Sequence, residues 1–138
     1  MLALALILLA IILATIHGQQ TLINVALHAQ SNYERHGFVA GSEITTEGLR
    51  KAFSVLTNVD QTRVFAPYSY EELHAVRWDL ALVEGWTGPV PFFIHALRRS
   101  NPAVVVLYVC LDTYPNLKVI GRLDVDGYLT NSQMLSHA

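Results

Sequence analysis

The chain has one cysteine, Cys110, in 138 residues, which excludes an internal disulfide. Cys110 sits inside an apolar run, where a buried small hydrophobe is the expected reading rather than a reactive thiol. Charge is sparse as well. Asp, Glu, Lys and Arg make up 14% of the residues, and nine basic against eleven acidic ones leave a formal charge of -2. With no block of like charge, that balance gives no basis for a nucleic-acid partner or a charged tail. Several chemical signatures are missing too. No G-x-G-x-x-G follows the first apolar segment with an acid about twenty residues on, which disfavours a nicotinamide dehydrogenase. There is no G-x-S-x-G elbow and no P-loop, so a hydrolase or nucleotidase has no support. The histidines, His17, His28, His36, His74, His95 and His137, include no pair at the i, i+4 spacing of a helical zinc site, and no cysteine cluster joins them. No metal is expected.

What is present fits one domain with a sizeable core and leaves no room for a second of similar size. Apolar residues reach 52%, a share raised by the N-terminus. There, Leu2 to Ala14 are uninterrupted Leu, Ile and Ala, which matches the apolar core of a secretory signal and falls short of the roughly 20 residues of a bilayer-spanning helix. Cleavage after Gly18 would free a mature chain beginning near Gln19. The Lys or Arg that usually precedes such a core is missing, and Ile16 would hold its outer small-residue position, so a short signal anchor is the second reading. A domain helix is the least favoured reading, because a helix apolar all round must be covered on every side. Residues 1–18 are therefore set apart from residues 19–138. The expected compartment is the secretory pathway, with membrane contact only through this segment if it is uncleaved.

From Thr21 the pattern alternates. Leu22 to His28 is a predicted strand. A polar stretch with Gly37 and Gly41 reads as a loop, and Glu43 to Leu56 as a helix capped by Ser42. Thr62 to Ala66 predicts a second strand, Tyr70 to Val76 a short helix or turn, and Asp79 to Val83 a third strand. Val90 to Arg99 predicts a helix whose core face is Phe92, Phe93, Ile94, Ala96 and Leu97, with His95 at the edge of that face. The run Ala103 to Leu111, with valines at successive positions, fits a strand buried on both faces. Leu117, Val119, Ile120 and Leu123 suggest a short helix, and Asp126 to Thr130 a fifth strand. This order specifies a three-layer, Rossmann-like α/β domain with a mainly parallel sheet and helices on both faces. Ligands in such folds bind outside the carboxyl ends of the strands.

Taken together, the GFVAGSEITTEGLRKAF loop and helix, the WDLALVEGW strand, the VVVLYVCLDTYP strand ending on an acid, and VDGYLTNS resemble the N-terminal, acceptor-side half of a GT-B fold glycosyltransferase of the family-4 or family-1 kind. The resemblance covers about Leu22 to Ser136. It implies a nucleotide-sugar as co-substrate rather than a tightly bound cofactor, an acceptor, and a separate C-terminal donor domain that the 138 residues have no room for. It would put Gly37, Gly41 and Ser42 against the donor diphosphate, where glycine lets backbone amides approach an anion at a helix N-terminus. Many such enzymes carry His-Asp after the fourth strand. Here the pair is Leu111-Asp112, so only the acid matches, and retention or inversion at the sugar stays open.

Asp112 reads as a general base for an acceptor hydroxyl, or as a cap of its own turn. Glu84 has the same two readings with a tight turn at Gly85 the simpler, and Trp86 is a sugar-stacking platform or a lid on the core. His28 or His36, after the first strand, would be the catalytic imidazole of an inverting enzyme, against the plainer reading of a solvated loop histidine. Asn131 and Ser132 follow the fifth strand on the same rim. The competing hypothesis is a non-catalytic, single-domain α/β module that binds a small ligand or partner there.

Overall fold

The computed structural model describes residues 21–29, 41–84, 88–110 and 121–130. In order, they form β1 (Ile23–His28), α1 (Gly41–Ser54), β2 (Val59–Phe65), a 3₁₀ helix (Glu71–Ala75), β3 (Leu80–Val83), α2 (Pro89–Ser100), β4 (Val105–Cys110) and β5 (Gly127–Thr130). The five strands make one sheet in the order β2-β1-β3-β4-β5, every pair parallel. The expected α/β class is the observed one.

Period-2 alternation sends the side chains of each central strand to opposite faces. Val25, Leu27, Leu80, Leu82, Leu107 and Val109 lie on one face under Leu49 and Phe53 of α1. Ala26, Ala81, Val83, Val106, Tyr108 and Cys110 lie on the other, under Val90, Phe93, Ile94 and Leu97 of α2 and Leu73 of the 3₁₀ helix. The topology accounts for this division. The chain runs one way along the sheet from β1 to β2 and the other way from β2 to β3 and from β3 to β4. Crossovers of one hand that run in opposite directions land on opposite faces, so α1 covers one side and the 3₁₀ helix and α2 the other.

Several details differ from the sequence pattern. Phe92, expected in the core, is 62% exposed. The buried stripe of α2 is Val90, Phe93, Ile94 and Leu97, the i, i+3, i+4, i+7 face of one helix, and Phe92 points about 100° away from its neighbour Phe93. His95 falls outside that stripe and is exposed. Ser42, expected as the cap, lies one residue inside α1, which begins at Gly41. Gly121–Leu123, the described end of the helix expected after Pro115, is a turn, and the rest of that segment lies outside the described residues.

Asp126 fastens the β5 edge. Its Oδ2 accepts the Val106 N–H at 2.7 Å and an Arg98 N–H at 3.1 Å, while its own N–H donates to Val106 O at 2.8 Å. Arg98 also donates to Val104 O at 2.6 Å, so the last turn of α2 holds the lead-in of β4 and the lead-in of β5 together. Asp126→Ala leaves the Val106 amide without its side-chain acceptor. It should cost about 1–2 kcal/mol and speed amide exchange at Gly127–Thr130 before the central strands respond, as hydrogen-exchange NMR would show.

Candidate functional site

In an open parallel sheet the ligand crevice lies where neighbouring connections leave in opposite directions. Here that point is between β1, whose chain departs towards β2, and β3, whose chain departs towards β4. The two carboxyl ends meet as the pair His28 and Val83, followed by Ala29 and Glu84. Both crossover helices run back antiparallel to their strands, so α1 and α2 begin at this same rim.

His28 is the centre of the described part of the rim. It occupies the α2-facing side of β1 and is 1% exposed, with its ring 4.8 Å from that of Phe93. Its Nδ1 lies 3.2 Å from Glu84 O, and its Nε2 lies 2.8 Å from the Tyr70 hydroxyl. A carbonyl can only accept, so Nδ1 carries the proton. Burial lowers the His28 pKa from 6.5 to about 4, opposed only in part by the Glu84 carbonyl, so the ring is neutral near pH 7. Neutrality leaves Nε2 as an acceptor, and the Tyr70 O–H donates to it. The Pro89 carbonyl, 3.2 Å from the same hydroxyl, is the poorer acceptor because it already belongs to the first turn of α2. Tyr70 itself is held above the usual phenol pKa, chiefly by burial, with a backbone hydrogen bond from Tyr68 acting the other way. The dyad is thus two neutral groups joined by one oriented hydrogen bond. It ties β1, β3, the 3₁₀ segment and α2 together at the switch point.

The two helix starts are not equivalent. In α2, Pro89 and Pro91 lack N–H groups, and of the first three helical residues only Val90 offers one. Gly88 precedes it at φ 53, a left-handed conformation suited to glycine. In α1 the first residues, Gly41, Ser42 and Glu43, all carry amides, so it is the better anion cradle of the two.

Of the residues singled out from the sequence, the structure brings together His28 and Glu84, and it places Gly41 and Ser42 in the first turn of α1. His36, Gly37, Trp86, Asp112, Asn131 and Ser132 lie outside the described residues. Tyr70 was missed by the sequence reading. Its only local signal is an aromatic in the otherwise polar stretch SYEE, and its partner His28 is 42 positions away.

Among the described residues, two clefts lie away from this rim. One of about 420 Å³ lies at the amino ends of the strands, where Asn24 N–H donates to Asp79 and Asn24 Nδ2 to Arg77 O, both at 2.9 Å. These bonds join β1 to the lead-in of β3, which makes the cleft part of the scaffold. The other, about 450 Å³, runs between α2 and the approach to β5. Its Arg98 is already engaged by Asp124 and Asp126, so no strong anion site results. Among the described residues, no three His, Cys, Asp or Glu side chains gather to hold a metal, and no helix is long and apolar enough to cross a membrane.

Comparisons with protein-family models, with curated proteins and with solved structures gave no match to this chain. Sheet order and rim define a Rossmann-like α/β domain with a polar dyad at its switch point. A fold of this class hosts many reactions, so the function is argued from the rim.

Proposed function

We infer that the chain is the acceptor-side half of a GT-B glycosyltransferase. It would hold an acceptor at the carboxyl rim while a sugar is transferred from a nucleotide-sugar bound mainly by a separate donor domain. The observation that carries this reading is the strand order, which puts the topological switch point between β1 and β3, on the rim where the amide-bearing α1 begins. In this scheme Gly37, Gly41 and Ser42 face the donor diphosphate, Asp112 takes the proton from the acceptor hydroxyl, and Glu84, Trp86, Asn131 and Ser132 line the rim. The protein holds no tight cofactor, and the apolar leader directs it to the secretory pathway.

The state of His28 refines its part. With a pKa near 4 and Nε2 already accepting from Tyr70, the ring is a poor base near neutrality, so His28 positions Tyr70 rather than taking a proton. The proton acceptor then falls to Asp112 or His36. The same observation favours the second reading, a non-catalytic binding module, since a neutral, oriented hydroxyl suits recognition as well as catalysis.

Titration of the ¹⁵N-labelled chain with UDP-glucose and GDP-mannose tests the assignment. The expected result is weak binding with amide shifts at Gly41, Ser42 and Ala29, and none at Asn101 or Thr21 on the opposite edge. Silence at the rim for both donors, or shifts confined to the opposite edge, would overturn it.

A further inference from the structure

Tyr68 and Phe92 stand out because the fold gains little from them. Their side chains are 60% and 62% exposed, yet the rings face each other with centroids 6.1 Å apart. Both lie at the carboxyl rim: Tyr68 follows β2, and Phe92 is in the first turn of α2. Tyr68 is also the only non-glycine at positive φ among the described residues, at φ 61. A bulky residue there carries backbone strain, which is held by the Ala66–Ser69 turn, with its Ser69 N–H to Ala66 O bond at 3.1 Å, and not by burial of the side chain. The surroundings are shaped to keep the ring in place nonetheless. A Cβ at Gly88 would sit 3.0 Å from the Tyr68 hydroxyl, so the hydroxyl end of the ring rests on a position that only glycine leaves open. One turn of chain from Tyr68, Tyr70 is fixed by His28. The result is a rigid, water-facing pair of rings beside the switch point.

We propose that Tyr68 and Phe92 form a stacking platform for a saccharide ring, the acceptor end of the rim. The geometry selects among ring-shaped ligands. The two rings are inclined by 54°, so a flat base could lie against only one of them. A pyranose chair presents C–H groups on both faces and along its edges, and these can meet two inclined aromatic faces together. No cation flanks the pair within the Pro67–Tyr70 or Gly88–Ile94 segments, Glu71 follows directly, and the charge of Glu72 is met by Arg63, so nothing in these segments attracts an anionic ring and a neutral one suits them. The choice of saccharide rests on the glycosyltransferase reading; the platform itself rests on exposure, strain and the Gly88 contact.

The test uses the full chain with methyl α- and β-pyranosides of glucose, galactose and mannose in one arm and uridine and adenosine in the other, read by saturation-transfer NMR. Tyr68→Gly and Tyr68→Asn both remove the ring and both tolerate the left-handed backbone, and Phe92→Ala removes the second ring from an exposed site. The expected result is saccharide binding by the wild type that each variant weakens by about tenfold, with the melting temperature unchanged or raised in Tyr68→Gly. A lowered melting temperature in both Tyr68 variants would make the ring structural and overturn the proposal. So would binding that survives all three substitutions, saturation of nucleosides alone, or no saturation at all. If UDP-glucose shifts Gly41 while no pyranoside saturates, the platform fails and the transferase reading stands. If pyranosides bind through the rings while neither nucleotide-sugar does, the platform stands on a sugar-binding module.

Discussion

Acidification from pH 6.5 to pH 4 is expected to remove on the order of 3 kcal/mol of stability through His28 alone. In the unfolded chain the imidazole titrates near 6.5, and in the folded chain near 4. Between those values the unfolded state binds a proton that the folded state refuses, so each step towards acid favours unfolding. Above about 6.5 both states are neutral at this residue, and below about 4 both are charged, so the dependence is confined to that window. The groups packed around the ring compensate it only in part when charged. Phe93 faces it from α2, Glu84 offers a carbonyl to Nδ1, and Tyr70 would have to turn its proton away from Nε2. A domain of this size holds roughly 5–15 kcal/mol in all, so the loss should be visible in urea unfolding at pH 7, 6, 5 and 4.5. His28→Asn supplies the control. It keeps a donor for Glu84 O but cannot titrate, so it should be less stable at neutral pH and show a flatter profile below pH 6.5. A wild-type profile that is level across the window, or an identical slope in the variant, would mean that His28 takes up a proton as readily in the folded chain as in the unfolded one.

How far the sequence could be read depended on whether a residue's fate was decided locally. The valine run of β4 is buried on both faces, and its composition shows it, as do the near-continuous apolar runs of β1 and β3. β2 was foreseen three residues short, because Asp60 and Gln61 are polar. An edge strand with one partner tolerates and even uses such residues, so its pattern is weaker at source. Phe92 was misplaced because hydrophobicity marks a residue as able to be buried, whereas the 3.6-residue period decides which of two adjacent phenylalanines is. At the site, His28 and Glu84 could be singled out as strand-end residues, since the parallel order implies a rim. Their contact, and the recruitment of Tyr70, depend on which strands are neighbours in the sheet. That is set by β3 pairing with β1 rather than with β2, a choice no local window contains.

The same non-local logic gives the second large effect, at Trp78. This side chain is fully buried, donates from Nε1 to Leu73 O at 2.9 Å, and meets Phe65 edge-on at 5.5 Å, while its own carbonyl accepts from Asn101 Nδ2 at 2.8 Å. It joins the 3₁₀ helix to the core beneath α2, and the 3₁₀ segment is what carries Tyr70 to His28. Trp78→Ala should therefore cost about 3–5 kcal/mol, combining a large cavity with an orphaned Leu73 carbonyl. Trp78→Phe keeps most of the packing and loses the donor, so about 1–3 kcal/mol is expected. Stability alone would not separate a core role from a role in the site. The ¹⁵N chemical shifts of His28 do. If Trp78 seats the 3₁₀ helix, Trp78→Phe shifts Nε2 away from its hydrogen-bonded value in protein that is still folded, because the Tyr70 hydroxyl has moved. If Nε2 is unchanged while stability falls, Tyr70 is held by His28 and Pro89 without help from below. The dyad would then be a self-contained unit of the rim.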